Sequence, residues 1–169
     1  MHVCVLQFPL PEGWKSTLPK AQHAWVSQAL FTWDHRGKLV LKTHQAWNYP
    51  PGPRELYHQP PASTEDFFQR PFFLWVPYRK WQCLISCPVC TRKMTGCGLY
   101  KTVRRVLDRD GWYFMGTEYL ECHHCGKKLA SWSMSILAQL DEGYRTDFPA
   151  VLKYRYITLN NTKYILNTF

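Results

Sequence analysis

No stretch of this chain reaches the roughly 18–20 uninterrupted apolar residues that a membrane-crossing helix requires. The longest apolar stretch, around Pro71 to Tyr78, carries proline and runs into charge at Arg79 and Lys80. No membrane partner is expected. The segment Met1 to Trp14 lacks a basic leader, an unbroken apolar centre and a small-residue cleavage site, so it reads as ordinary chain and an intracellular location is expected. Catalytic signatures are also missing: there is no Gly-x-Ser-x-Gly elbow, no Gly-rich phosphate loop before a Lys-Ser/Thr pair, and no His-Glu-x-x-His. The adjacent carboxylates Glu65-Asp66 and Asp141-Glu142 sit where helices would start, and a helix dipole explains them more simply than catalysis does. Acidic residues are scarce throughout. Twelve Asp and Glu face 21 Lys and Arg, for a net charge of +9, which makes polyanions the first partners to consider.

What is present suffices for a folded core. Apolar residues make up 46% and charged residues 20% of 169, a length that suits one domain on the usual scale of about 100–200 residues. Residues 1–169 are therefore read as a single compact domain. The basic excess is concentrated: between Arg79 and Lys128 ten basic residues face four acidic ones, which places +6 of the +9 there. Six of the seven cysteines lie in the same stretch, from Cys83 to Cys125, with Cys4 apart. An odd count and no secretion signal argue against a disulfide framework and for thiols that hold a metal.

Local patterns give an outline. Ala21 to Trp33 sets Trp25, Ala29 and Trp33 on one helical face, and Lys38 to Thr43 reads as a strand after Gly37. From Trp47 to Trp81, seven prolines fix φ and remove amide donors, which disfavours regular helix or a central strand over most of that length. The aromatics Phe67 to Tyr78 are too apolar to stay solvated, so the segment should pack on the domain rather than serve as an extended recognition peptide. Lys101–Leu107 and Trp112–Glu121 flank Asp108-Arg109-Asp110-Gly111, the pattern of a β-hairpin. Ser131 or Ser133 can cap a helix through Leu140, and Tyr154–Thr158 with Lys163–Thr168 suggest a second hairpin around Asn160-Asn161. No internal repeat stands out.

The chemistry is carried by Cys87-Pro88-Val89-Cys90 and Cys122-His123-His124-Cys125-Gly126. Two-residue spacing lets a tight turn aim both sulfurs of a pair at one ion, and four thiolates surround Zn²⁺ tetrahedrally. The 31 residues between the pairs exceed a short ribbon's usual span, and the intervening hairpin accounts for the excess by returning Cys122 toward Cys90. One structural Zn²⁺ on Cys87, Cys90, Cys122 and Cys125 is expected, with its coordination closed to a catalytic water. Buried free thiols or a redox pair are the competing readings. Cys83 and Cys97 read as small hydrophobes, and His123 and His124 as surface residues that could touch phosphate or replace a ligand.

The predicted architecture is α+β, with a zinc-ribbon-like β-hairpin module at 83–129 packed with the aromatic- and proline-rich N-terminal region. Lys101, Arg104, Arg105, Arg109, Lys127 and Lys128, interleaved with Tyr100, Trp112, Tyr113 and Tyr119, form the candidate nucleic-acid surface. A solvated sheet face is the plainer alternative for those charges. The expected function is a non-enzymatic zinc domain that binds nucleic acid, DNA first. A protein-interaction or scaffold module is the second reading, and a nuclease using His123 or His124 the third.

The order of these motifs resembles a known family, a presumed zinc-binding domain of unknown function in proteins related to, or domesticated from, KDZ-type transposons. The landmarks are Phe73-Leu74-Trp75-Val76-Pro77, Cys87-Pro88-Val89-Cys90, Arg104-Arg105-Val106-Leu107-Asp108 leading to Trp112-Tyr113, Glu118 to Gly126, and Phe148-Pro149-Ala150. The resemblance covers about residues 30 to 152 and implies a zinc module with DNA engagement in the nucleus. It transfers only the four knuckle cysteines as ligands. Residues 153–169 fall outside it.

Overall fold

The computed structural model describes residues 8–51, 68–108, 111–152 and 157–159. It is a mixed α+β structure of small sheets and short helices organised on one long strand. In chain order the elements are α1 (Glu12–Thr17), α2 (Lys20–Leu30), β1 (Phe31–Trp33), β2 (Leu39–Leu41), β3 (Trp47–Asn48), β4 (Phe72–Trp75) and α3 (Pro77–Trp81). These are followed by β5 (Thr95–Leu99), β6 (Arg104–Asp108), β7 (Gly111–Glu121), β8 (Lys128–Ala130), α4 (Met134–Leu137), α5 (Glu142–Thr146), β9 (Ala150–Leu152) and β10 (Ile157–Leu159).

β7 is the axis. Along one edge it pairs antiparallel with β6 (Arg104↔Met115 through Asp108↔Gly111) and then with β5 (Leu99↔Glu118, Thr95↔Glu121). Along the other edge it pairs parallel with β4 (Phe72↔Phe114 to Trp75↔Thr117) and antiparallel with β8 (Glu121↔Lys128). Side chains alternate across a strand. Phe73, Trp75, Val106, Tyr113 and Met115 therefore join one core with Trp132, Ile136, Leu137, Leu140 and Phe148. Phe72, Leu74 and Phe114 join a second core with Trp14, Leu18, Trp25, Val26 and Leu30 from α1 and α2.

This two-sided burial explains a departure from the sequence reading. β4 is a fully buried interior strand flanked by β3 and β7, although it lies in the proline-rich region. Its prolines, Pro71 and Pro77, fall just outside the strand, and the unbroken run Phe72 to Val76 is what a strand covered on both faces requires. Pro77 then opens α3, a position where a missing amide costs nothing. Phe68 is exposed, whereas Phe72 to Val76 are buried as expected.

Between β5 and β6 the ladder breaks, and α1 closes the gap. The indole Nε1 of Trp14 donates to the Tyr100 carbonyl at 2.5 Å, and the Val103 amide donates to Thr17 Oγ1 at 3.0 Å, so backbone groups without a strand partner are satisfied. Two glycines allow this approach. A Cβ on Gly13 would sit 1.9 Å from the Lys101 carbonyl oxygen, and one on Gly116 would sit 2.5 Å from Trp14 and 2.8 Å from Phe72.

Two further expectations are revised. The predicted helix through Trp33 stops at Leu30, because Phe31-Thr32-Trp33 pairs with Leu39–Leu41 across an Asp34–Gly37 turn, and Trp33 is exposed. The helix through Leu140 is only the single turn α4, with Ser133 at its N-cap position. Ile157–Leu159 also pairs with Ala150–Leu152, a strand the sequence reading did not name; Asn160-Asn161 and Lys163–Thr168 of the predicted hairpin lie outside the described residues.

Candidate metal centre and basic surfaces

The first cysteine pair lies ahead of β5 and the second in the turn from β7 to β8, so the β5–β7 pairing carries both to one end of the sheet. The Sγ atoms of Cys87, Cys90, Cys122 and Cys125 all lie within 4.8 Å of one another. Cys90 is 3.4 Å from Cys122 and 3.5 Å from Cys125, and Cys87 is 3.5 Å from Cys125. Cys87 and Cys122 are buried and Cys125 is exposed, which places the site at the rim of the first core.

The two turns have the same backbone. The Cys87 amide donates to the Arg92 carbonyl and the Thr91 amide to the Cys87 carbonyl; the Cys122 amide donates to Lys127 and the Gly126 amide to Cys122. In each, the residue after the second cysteine has a left-handed φ, 61° at Thr91 and 69° at Gly126. Ten residues superpose in pattern: Ile85-Ser-Cys-Pro-Val-Cys-Thr-Arg-Lys-Met94 and Leu120-Glu-Cys-His-His-Cys-Gly-Lys-Lys-Leu129, with buried Ile85 and Leu120 two residues before the first cysteine. The sequence reading missed this short repeat, since outside the cysteines, the basic pairs and the apolar residues at each end the two segments share little.

The turns also prepare the sulfurs. Burial pushes the Cys87 thiol up, but the amides of Cys90 and Val89 and the adjoining thiols bring it down to about 7. Cys122 is likewise lowered, chiefly by the Cys125 amide and then that of His124, against burial. For Cys90 the Arg92 amide favours the thiolate, yet burial and the other three sulfurs push it up to about 12. Cys125 is raised as well: the Lys127 amide is outweighed by burial and by the sulfurs of Cys87 and Cys122. Four thiolates this close repel one another unless a cation sits among them, and the arrangement could hold one metal ion.

The flanking cysteines do not join the cluster. Cys83 is half-buried against the first core, and burial raises its thiol, with Asp141 adding to the effect. Cys97, in the irregular β5 segment, donates to Glu121 Oε2 at 2.7 Å, and Lys128 lies 3.6 Å from the same oxygen. The Cys97 thiol holds Glu121 below the usual carboxylate range, against burial and with help from Lys128. Only the strand pairing brings these residues together, so no sequence signal could have found the trio. His123 and His124 are exposed, with His123 Nε2 2.9 Å from Thr95 Oγ1.

The five described residues of the predicted basic set do not form one surface. Arg104 and Arg105 are neighbours in β6 and point to opposite faces: Arg104 covers the Trp132 ring at 5.0 Å, Arg105 the Trp112 ring at 4.7 Å. Lys127 and Lys128 are exposed beside the cysteines, and Lys128 lies opposite Glu121, whereas Arg105 lies opposite Phe114. Seven residues of strand at about 3.3 Å each separate them by roughly 23 Å. Lys101 is exposed at the bend before β6, and Arg109 lies outside the described residues. The strand period breaks the continuity that the linear sequence suggested. In its place, Arg92 and Lys93 are exposed after the first turn as Lys127 and Lys128 are after the second.

Fold and site together define a mixed α+β protein with a tetracysteine centre able to hold one metal ion. Residues 14–163 match the family described as a domain of unknown function (DUF6729), and the chain belongs to that family. No curated protein and no solved structure matches it. Among the described residues, no helix is long and apolar enough to cross a membrane.

Proposed function

We propose that this chain is a non-enzymatic module organised by one structural Zn²⁺ and that it binds nucleic acid, DNA first, through the basic rim of its two cysteine turns. A tetrahedral Zn²⁺ with bonds of about 2.3 Å to sulfur needs sulfur–sulfur separations of about 3.8 Å, so the 3.4–3.5 Å contacts would widen by only a few tenths of an ångström. Cys87, Cys90, Cys122 and Cys125 would hold it. A four-thiolate shell is closed, and the ion would supply cross-links between the turns rather than a reactive water. Four thiolates and Zn²⁺ sum to −2. Arg92, Lys93, Lys127 and Lys128, all exposed, more than offset that charge and leave the tip positive.

The carrying observation is this repetition: each turn presents a basic pair at the fifth and sixth residues after its first cysteine, and the shared backbone sets both pairs around one centre. Phosphates, spaced along a polyanion, are the chemistry that such a rim fits. The resemblance to transposon-related zinc domains supports a DNA-facing, nuclear role. Zinc-loaded protein should bind duplex DNA with an affinity that falls steeply as salt rises. Replacing Arg92, Lys93, Lys127 and Lys128 with Gln should flatten the log–log slope by about 0.9 for each phosphate that is no longer neutralised. No binding at low salt, or an unchanged slope in the quadruple variant, refutes the reading.

A further inference from the structure

At the opposite end of β7 from the cysteines lies a cleft of about 510 Å³ whose lining includes Trp47, Tyr49, Arg70, Pro71, Trp112 and Tyr113. That volume is in the range of small-ligand sites. Its aromatic floor is fixed, because Trp47 packs on Phe73 at 4.8 Å and on Tyr113 at 4.9 Å between ring centroids. Its rim is open: Tyr49, stacked with Trp47 at 6.2 Å and 19°, is 66% exposed, and Trp112 is 43% exposed.

The charges around the cleft select among ligands. Arg70 is exposed at the edge, and no described lining residue is acidic. An aromatic cage for a cation would be disfavoured by the Arg70 guanidinium. A flat heteroaromatic ring joined to an anion satisfies both features, since every base has a π-face and every nucleotide carries a phosphate. Bases stacked inside a duplex cannot present that face.

We propose that this cleft is a single-strand site, in which an unpaired nucleobase lies against Trp47 and Tyr49 while Arg70 holds the adjoining phosphate. The proposal rests on the nucleic-acid reading above and assigns strandedness to a surface separate from the cysteine rim. The test uses zinc-loaded full chain with fluorescein-labelled oligothymidylate and, separately, a blunt duplex. Tyr49→Ala alters an exposed ring, and circular dichroism checks its folding. It should weaken oligothymidylate binding at least about fivefold and leave duplex binding within about twofold. Tyr49→Phe, which keeps a stacking face, should restore most of the loss. Neutralising Lys127 and Lys128 should weaken the duplex more than the single strand. Equal single-strand affinity in wild type and the alanine variant, or an equal loss on both probes, overturns the cleft assignment alone. Binding of neither probe by the wild type overturns it together with the proposed function.

Discussion

Glu118 offers the sharpest test of how the centre of the sheet is held. Its side chain is wholly buried in β7, and its Oε1 accepts from the Tyr78 and Arg79 amides at 3.1 and 3.4 Å while Oε2 accepts from Arg79 Nε at 3.0 Å. A carboxylate thus caps the start of α3, which has no capping side chain of its own. Burial is the largest influence and lifts the carboxyl from 4.5 to about 7, against the pull of Arg79 and the two amides. Because the folded value is raised, the folded state keeps a proton that the unfolded state releases. The contribution is full below the unfolded value, falls as pH rises, and is lost above about 7. Working the linkage between about pH 5.5 and about pH 8 gives a loss on the order of 2 kcal/mol. Glu118→Gln keeps the oxygen acceptor and removes the titration. Urea midpoints of zinc-saturated wild type and variant, measured at both pH values, share the metal's own pH dependence, which cancels in the difference. The stability of wild type relative to the variant should therefore drop by about 2 kcal/mol across that range. A difference that stays flat would mean that Arg79 and the amides keep the carboxylate ionised throughout, and the reasoning from burial would be wrong.

The remaining predictions concern the turns and the core. Cys122→Ser, or chelation of the wild type, should release one equivalent of metal by elemental analysis and lower Tm by roughly 10 °C or more, because the cross-link between two distant turns is lost. Gly116→Ala forces a Cβ within 2.5 Å of Trp14 and should cost about 1–3 kcal/mol in chemical denaturation, an overpacking penalty. Thr91 holds a left-handed φ of 61° in the place that Gly126 takes in the second turn; Thr91→Gly should raise stability by about 1 kcal/mol, readable as a higher urea midpoint.

The parts of this architecture legible in the sequence are those written locally. Cysteine spacing marked the four thiols, and the Asp110-Gly111 step marked the β6–β7 hairpin, because a tight turn needs a particular backbone conformation at particular residues. Features set by long-range pairing were less accessible. The prolines around Phe72–Trp75 concealed an interior strand, whose partner β7 arrives some forty residues later. Arg104 and Arg105 looked like one patch until strand alternation sent them to opposite faces. The Glu118–Arg79 cap and the Cys97–Glu121 hydrogen bond join residues 39 and 24 positions apart, with no motif to announce them.

The dependence on β7 sets an order of events during synthesis. Trp14 needs the Tyr100 carbonyl and the bare Gly116 surface, β4 needs its parallel neighbour, and α3 needs the Glu118 cap; all are made after the aromatic segments that await them. The aromatic rings of residues 8–51 and 68–100 therefore leave the ribosome before the strand that covers them. Emergence of that late strand completes the second core, while the first still waits for Trp132 to Phe148, and until then the nascent chain is a natural client for chaperones.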